Sequence, residues 1–317
     1  MQVQVLEDRD YSHQALALYA RLGQLHRGCI AARQQAEIGL LVIRLGQMID
    51  QDFLAQYPAL QAIATPTTGL THLDLSVCRQ RGLRVFSLAD CRQAIGAIRS
   101  TSELAFGLIL ALLRNIPAAH HDVVHEQAWS RERFKSRQLQ GLTLGLIGFG
   151  RIGQQMAAPA QAFGMQVLAH DPAITSAEVP AGVRAVSLEA LLQSSDIVSL
   201  HADLNDSNHG LIGKTALATM QPTALLINTA RGELLDENAV AKALIKQRLA
   251  GVAVDVLCHE QQVERRSQSP LLAAAREGHN VLITPHIGGC TLDAMQATEL
   301  ALAETVLKAL RGAEAST

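Results

Sequence analysis

The length, composition and charge of the chain limit its class before any motif is considered. It has 317 residues, a formal net charge of −2 and 48% hydrophobic residues. This length predicts two domains with buried cores. The near balance of charges excludes a broad basic surface for nucleic acid and a polybasic membrane anchor, and the hydrophobic fraction excludes a disordered chain.

The beginning of the chain and its apolar runs bear on location. Residues 1–7 predict a first strand and not an export signal, so we expect a cytoplasmic protein. The longest apolar run, 104–113, is too short to cross a membrane and predicts a buried helix. Five scattered cysteines without a Cys-x-x-Cys pair predict free thiols and no structural zinc.

Short apolar runs alternate with segments of helical period, which is typical of repeated βαβ units and parallel sheets. Helical segments are predicted at 10–26, 50–57, 72–81, 101–116 and 292–310. Strands are predicted in two series, the first at 3–6, 40–44, 60–65 and 83–87, the second at 142–147, 166–169, 197–200, 224–228, 252–256 and 281–283. The sequence thus predicts an α/β protein with two doubly wound parallel sheets.

The two series of strands predict the domain boundaries. A smaller, flavodoxin-like substrate domain is expected over residues 1–99 and is completed by the C-terminal segment 287–317. A dinucleotide-binding Rossmann domain is expected over residues 100–286, because six strands make a full sheet of that kind.

The strongest motif is a Gly-x-Gly-x-x-Gly between a predicted strand and a predicted helix, formed by Gly148, Gly150 and Gly153. In such a motif the first glycine permits a tight turn, the second lets the backbone approach a pyrophosphate, and the third lets the helix pack on the strand. The helix amides of Arg151 and Ile152 would then face the phosphates. The alternative is an ordinary glycine-rich turn.

An acid at the end of the next predicted strand favours the dinucleotide site. Asp171 lies 23 residues after Gly148, close to the spacing of a carboxylate that binds the adenosine ribose. A carboxylate at this position repels a 2′-phosphate. NAD is therefore the predicted cofactor, in preference to NADP.

Three further polar side chains follow neighbouring strands of the second series, and ligands bind at the carboxyl ends of such strands. Arg231 can hold a carboxylate through two parallel hydrogen bonds. The fifth strand ends with Asp255 and is followed by Glu260, the sixth is followed by His286, and an acid and a histidine at neighbouring strand ends predict an acid/base pair. Each residue alone could be an ordinary surface group, but three at one sheet edge favour a site.

Taken together, these motifs resemble a known family. G-F-G-R-I-G with Asp171, N-T-A-R-G at 228–232, A-V-D-V followed by Glu260, and T-P-H-I-G-G at 284–289 are similar to the D-isomer-specific 2-hydroxyacid dehydrogenases. The resemblance extends over nearly the whole chain, including T-T-G at 67–69. It implies an NAD-dependent oxidoreductase that transfers a hydride between nicotinamide and a small 2-hydroxy or 2-oxo acid.

The resemblance also implies roles for individual residues. Arg231 would bind the substrate carboxylate and polarise its carbonyl, His286 would donate and accept the proton, and Glu260 would orient and charge His286. Further residues are expected at the cofactor and the substrate: His201, Thr229, Asp255 and Gly288 at the cofactor, and Arg44, Thr68 and Gly69 at the substrate.

Alternatives remain open at this point. The same fold could serve an NAD(H)-responsive binding protein of the corepressor kind, although the chain lacks long low-complexity tails, or a formate- or phosphite-type dehydrogenase. Which 2-hydroxy acid is bound is not specified, and a cation such as Arg44 or Arg92 could bind a phosphate or a second carboxylate.

Two surface features are expected to be structural. His120, His121 and His125 include a pair at helical spacing, but no carboxylate or cysteine completes a metal site, so no metal is predicted. The basic segment 129–140 is expected to be an exposed arm, and the family resemblance implies a homodimer through the region 101–140.

Overall fold

The computed structural model describes residues 1–175 and 179–314. It consists of two compact units, one formed by Met1–Ile98 with the chain from Cys290 onward, the other by Arg99–Gly289. The sequence placed the corresponding boundaries after residues 99 and 286.

The sheet of the first unit contains five parallel strands in the order β2-β1-β3-β4-β5. Its strands are β1 (Gln2–Val5), β2 (Gln24–Arg27), β3 (Ile38–Val42), β4 (Ala62–Ala64) and β5 (Arg84–Phe86). Its first helices are α1 (His13–Ala20), α2 (Ala32–Gln35), α3 (Gln51–Ala55) and α4 (Leu75–Gln80), and a 3₁₀ turn spans Leu88–Cys91. Every residue of the central strand β3 is buried, because helices cover both faces of the sheet.

The second unit has a sheet of seven parallel strands in the order β12-β11-β10-β9-β6-β7-β8. Its strands are β6 (Thr143–Ile147), β7 (Gln166–His170), β8 (Val183–Ala185), β9 (Ile197–Leu200), β10 (Leu225–Asn228), β11 (Gly251–Val254) and β12 (Val281–Ile283). The strand order reverses at β6, between β7 and β9. In open α/β sheets, a crevice for ligands forms at the carboxyl ends of the strands at such a reversal.

Helices cover both faces of this sheet around two apolar cores. They are α5 (Ser100–Leu113), α6 (Ile116–His125), α7 (Arg151–Ala162), α8 (Leu188–Ser194), α9 (Lys214–Thr219), α10 (Glu237–Ile245), α11 (Val263–Ser267) and α12 (Pro270–Arg276), with 3₁₀ turns at Glu132–Phe134 and Gly232–Leu234. The fold class predicted from the sequence, two doubly wound parallel α/β sheets, is confirmed.

The last helix, α13 (Leu292–Glu314), packs on the sheet of the first unit. Leu302, Ala303 and Val306 are buried in the same core as the residues of β1 and β3. The chain therefore returns to the first unit after completing the second.

Three predicted elements differ from the structure. The helix predicted over 10–26 ends at Ala20, and β2 follows as a polar edge strand whose residues lack the alternation of a buried strand. The second sheet has a seventh strand, β8, which is only three residues long and also lies at an edge. The helix predicted over 101–116 corresponds to α5, which ends at Leu113, and the unpredicted α6 begins after Asn115, which takes a left-handed φ of 52°, because Pro117 favours a new helix start.

Within the described residues, no single helix is both long and apolar enough to span a membrane. The helices α5 and α6 meet that criterion of length and composition only as a pair, and a bend of 60° separates them.

Candidate active site

The glycine-rich turn joins β6 to α7 with the geometry that its sequence predicts. Gly148 has a φ of +87°, and a Cβ built on it would lie 2.6 Å from the amide nitrogen of Ala202. A Cβ on Gly153 would collide with the carbonyl oxygen of Gly148, whereas the space in front of Gly150 is open. The turn therefore needs glycine at two positions for packing and leaves room for a ligand at the third.

Asp171 follows β7 and binds the same turn. Its Oδ2 accepts a hydrogen bond of 2.8 Å from the Phe149 amide, and its Oδ1 accepts one of 2.9 Å from the Ala173 amide. Because two carboxylate oxygens offer about four acceptor positions, each oxygen can still accept a hydroxyl. The carboxylate is thereby fixed beside the turn and can still bind a ribose.

Two buried polar atoms at the ends of β9 and β10 have no hydrogen-bond partner among the described residues: His201 Nδ1 and Thr229 Oγ1. The other ring nitrogen of His201, Nε2, lies 2.9 Å from Ser199 Oγ. Burial lowers the pKa of His201 to about 4, so the ring is neutral at pH 7. Unsatisfied buried groups are costly, so these two atoms at neighbouring strand ends are available to a polar ligand.

The lowered pKa of His201 predicts a pH-dependent stability. The folded-state pKa of about 4 lies below the model value of 6.5, so the unfolded chain takes up a proton first as the pH falls. This residue should therefore decrease the free energy of unfolding between pH 6.5 and 4, by up to about 1.4 kcal/mol per pH unit. Urea unfolding of the wild type should lose more stability from pH 7 to pH 5 than that of His201→Gln. Equal losses in both proteins would contradict this assignment.

Arg231 lies in the loop after β10, and Asn228 fixes the backbone of that loop. Asn228 Nδ2 donates to the Arg231 carbonyl oxygen at 2.8 Å, and its Oδ1 accepts from the Ala230 amide at 3.0 Å. Nη1 of Arg231 donates to the Ala230 carbonyl oxygen at 2.5 Å, while Nε and Nη2 have no acceptor among the described residues. That edge of the guanidinium has the two parallel donors that a carboxylate needs.

The predicted acid/base pair is in direct contact in the structure. His286 Nδ1 and Glu260 Oε1 form a short hydrogen bond, and both side chains are partly exposed. Nε2 of the same ring makes no hydrogen bond within residues 1–175 and 179–314. A ring held at one nitrogen and open at the other can transfer a proton to a ligand.

The loop that carries His286 is held by Asp255, which is 1% exposed. Its carboxylate accepts hydrogen bonds from Thr284 Oγ1 at 2.5 Å, the Ile287 amide at 2.9 Å and the Gly288 amide at 2.7 Å. His286 adopts a left-handed φ of 55°, which is strained for a residue with a side chain. The structure thus uses Asp255 and the Gly288 amide, both expected at the cofactor, to hold the loop of the acid/base histidine.

In the first unit, the residues expected at the substrate have different surroundings. Thr68 and Gly69 lie in the loop after β4, and their amides have no acceptor within the described part of the chain. Arg44 instead pairs with the buried Glu299, donates from Nη1 to the Arg9 carbonyl oxygen at 2.9 Å and lies over the Tyr11 ring. We therefore do not assign Arg44 to the substrate, because its guanidinium is already used within the first unit.

The other sequence candidates do not form a site. The rings of His121 and His125 lie 4.7 Å apart, and among the residues described no group of three or more His, Cys, Asp or Glu could hold a metal. The basic side chains of the arm pair with acids, for example Arg133 with Asp122 at 2.6 Å and Arg137 with Asp196 at 2.5 Å.

Comparison with known proteins agrees with this geometry. Residues 106–288 match the NAD-binding domain of the D-isomer-specific 2-hydroxyacid dehydrogenases. The chain belongs to this family. The glycine-rich turn, Asp171, Arg231, Glu260 and His286 all lie in the matched part.

Individual members of the family are similar over most of the chain. The hydroxypyruvate reductase of Thermotoga maritima is 33% identical over 86% of this chain and 85% of its own. A D-3-phosphoglycerate dehydrogenase of Methanocaldococcus jannaschii is 34% identical over 86% of this chain but only 50% of its own, so the chain spans about half the length of that relative. A D-lactate dehydrogenase of Aquifex aeolicus, solved with NAD and lactic acid, superposes with a TM-score of 0.81 at 25% identity, covering 98% of this chain and 96% of that chain.

The residues of this family member fit NAD, which is its cofactor. The open space at Gly150, the carboxylate of Asp171 beside the turn, and the unpartnered His201 Nδ1 and Thr229 Oγ1 together provide room and hydrogen-bonding groups for a dinucleotide. The amino end of α7, where Arg151 and Ile152 begin the helix, is where a pyrophosphate would be held.

Sequence reasoning missed three residues that hold the site together: Asn228, Glu237 and Arg266. Asn228 had a usable signal, because a polar residue that ends an apolar strand indicates a functional strand end. Glu237 and Arg266 had none, since each contacts the Glu260 loop from a different helix. Such contacts between separate segments become visible only in the folded chain.

Proposed function

We propose that the chain is an NAD-dependent oxidoreductase that interconverts a small 2-hydroxy acid and the corresponding 2-oxo acid. The observation that carries this proposal is the contact between Glu260 and His286 Nδ1, which leaves Nε2 of the ring open. Arg231 supports it, because two guanidinium donors on one edge are free to bind a carboxylate.

With NAD in this site, its nicotinamide would supply or accept the hydride. Arg231 binds the substrate carboxylate and orients the molecule, so that its carbonyl or hydroxyl oxygen faces His286 Nε2. During reduction His286 gives its proton to this oxygen, and during oxidation it takes the proton from the hydroxyl. Glu260 holds Nδ1 throughout and stabilises the ring when it is charged.

The proposal is tested by NADH oxidation with a panel of glyoxylate, pyruvate, hydroxypyruvate and phosphohydroxypyruvate, and by NAD reduction with formate and phosphite. Turnover of at least one 2-oxo acid is expected. Because Arg44 pairs with Glu299, we do not expect Arg44 to bind a substrate phosphate, and the comparison of hydroxypyruvate with phosphohydroxypyruvate tests this. NADH binding without any turnover would instead favour a binding protein.

Asp171 is expected to set the preference for NADH over NADPH. Its carboxylate accepts ribose hydroxyls and repels a 2′-phosphate, and residues 172–175 contain no Lys or Arg that could bind one. Asp171→Ser should weaken the binding of NADH and so reduce the preference for NADH over NADPH. Fluorescence titration with each cofactor measures both affinities. Asp171→Asn is the matched variant, since it can still accept from the Phe149 amide but lacks the charge. A wild type that binds NADPH as well as NADH would contradict this role.

A homodimer through residues 101–140 and a cytoplasmic location stay predictions. The dimer is supported by exposed apolar side chains in that region, among them Ile116 at 53%, Val124 at 54% and Trp129 at 88%. Exposed apolar side chains grouped on one region of a surface favour a contact with another protein.

A further inference from the structure

The loop that carries Arg231 and the loop that carries Glu260 are in direct backbone contact. A Cβ built on Gly232 would lie 2.5 Å from the carbonyl oxygen of Leu257, and closer still to the peptide between Leu257 and Cys258. The contact therefore requires glycine at residue 232. The loop that carries Arg231 therefore limits how far the segment 257–260 can move on this side.

The buried carboxylate of Glu237 binds the segment 257–260. Glu237 is 8% exposed and is the first residue of α10. Its Oε1 accepts a hydrogen bond of 2.7 Å from the Cys258 amide, and its Oε2 accepts one of 2.5 Å from Ser269 Oγ. Ser269 in turn caps α12, so a single carboxylate connects two helix starts with the segment that leads to Glu260.

The pKa of the Cys258 thiol also reflects the short distance between Cys258 and Glu237. Burial, and then the negative charges of Glu237 and Glu233, raise the pKa of this thiol to about 12. The thiol is therefore neutral at ordinary pH. Glu237 is linked to the loop through the backbone amide of Cys258.

The far side of the segment is held by other groups. Arg266 Nη1 donates to the carbonyl oxygen of Glu260 at 2.6 Å, and the Leu257 amide donates to Glu260 Oε2 at 3.3 Å. With Glu237 at Cys258, the segment is held on both sides of the residue that contacts His286. Glu237 reaches the segment from α10, whereas Arg266 belongs to α11, the helix that directly follows the segment.

We propose that Glu237 is a positioning residue for the acid/base pair, acting through the Cys258 amide to place the Glu260 carboxylate against His286. This inference rests on the proposed function. Glu237 itself contacts neither of the two site residues, so its effect should pass entirely through Glu260. Catalysis is sensitive to such placement, since a displacement of about 1 Å can cost about a hundredfold in rate.

The test compares Glu237→Ala with Glu237→Gln in the full-length chain. In Glu237→Ala we expect kcat to fall about tenfold to a hundredfold while KM for the 2-oxo acid changes little, because Arg231 keeps its donors. Glu237→Gln should keep most of the kcat, since its amide oxygen can accept from Cys258 and its amide nitrogen can donate to Ser269. Glu264→Ala, which removes an exposed carboxylate on α11, is the control and should behave as the wild type.

A double-mutant comparison separates positioning from general destabilisation. In a Glu260→Ala background, Glu237→Ala should lower kcat little further, because its route of action is already removed. Hydrogen exchange of the Cys258 amide should accelerate in Glu237→Ala and not in Glu237→Gln. If Glu237→Ala does not fold, Glu237→Asp, which shortens the side chain by one methylene, should show the same pattern.

The outcomes distinguish the two proposals. A normal kcat in Glu237→Ala despite faster exchange at Cys258, or losses that multiply with those of Glu260→Ala, would overturn the positioning role and leave the proposed function standing. A wild type that reduces no 2-oxo acid although it binds NADH would overturn the proposed function and this inference together.

Discussion

Replacing His286 by Ala is expected to lower kcat/KM for the 2-oxo acid by roughly a hundredfold to ten-thousandfold, the usual contribution of a positioned acid/base group. The ring is held by Glu260 through Nδ1, and its Nε2 has no hydrogen-bond partner among the described residues. Reduction and oxidation should fall by the same factor, because the variant does not change the equilibrium constant of the reaction. Steady-state kinetics in both directions measures this effect.

The control for this variant is His279→Ala. His279 also pairs with a glutamate, Glu277 at 3.8 Å, but it lies before β12, at the opposite end of the strand from His286. We expect His279→Ala to have the activity of the wild type, and we expect both variants to bind NADH normally. Comparable activity of His286→Ala and the wild type would remove His286 from the acid/base role. The activity of Glu260→Gln should lie between that of His286→Ala and that of the wild type, since the glutamine can still accept a hydrogen bond from the ring but lacks the charge.

Arg231→Lys is expected to lose more activity than a substitution that conserves charge usually does. Only the planar guanidinium offers two parallel donors, and a lysine ammonium cannot reproduce this fork. Losing such an interaction costs about 3 kcal/mol of transition-state stabilisation, or on the order of a hundredfold in rate. Both a higher KM for the 2-oxo acid and a lower kcat are expected, because the proposed role of Arg231 is to bind the carboxylate and to orient the carbonyl.

Arg248→Lys is the matched control for Arg231→Lys. Arg248 is exposed after α10 and makes no side-chain hydrogen bond or ion pair with any described residue, so its replacement should leave both constants unchanged. Binding of NADH should be normal in either variant. A kcat/KM of Arg231→Lys close to that of the wild type would show that the substrate carboxylate binds elsewhere.

The main elements of the fold were predictable because their signals are local. Buried strands such as β3, β9 and β10 consist mainly of apolar residues, and the glycine spacing at 148–153 marks the turn before α7. The edge strands β2 and β8 escaped prediction for the opposite reason. They are short, and half-buried or exposed residues in them lack the pattern that burial imposes.

The pairing of Arg44 could not be predicted from the sequence. From the sequence it was a free cation after a strand, suitable for an anionic substrate. In the structure its guanidinium pairs with Glu299, which lies 255 residues later on α13. No local pattern could indicate this partner, because the two residues meet only when the last helix packs on the first unit.

The sequence by itself determined the parallel α/β class, the dinucleotide turn, and the three residue types suited to a 2-hydroxy acid, since strand periodicity and motif spacing are properties of short segments. Tertiary structure alone decided which of these side chains are available. In the folded chain Glu260 contacts His286, and Arg44 pairs with Glu299. Asp255 holds the His286 loop, and Glu237 binds the Cys258 amide. The physical reason is that a hydrogen bond forms only within about 3 Å, and at that range the neighbours of a side chain are set by the packing of segments far apart in the chain.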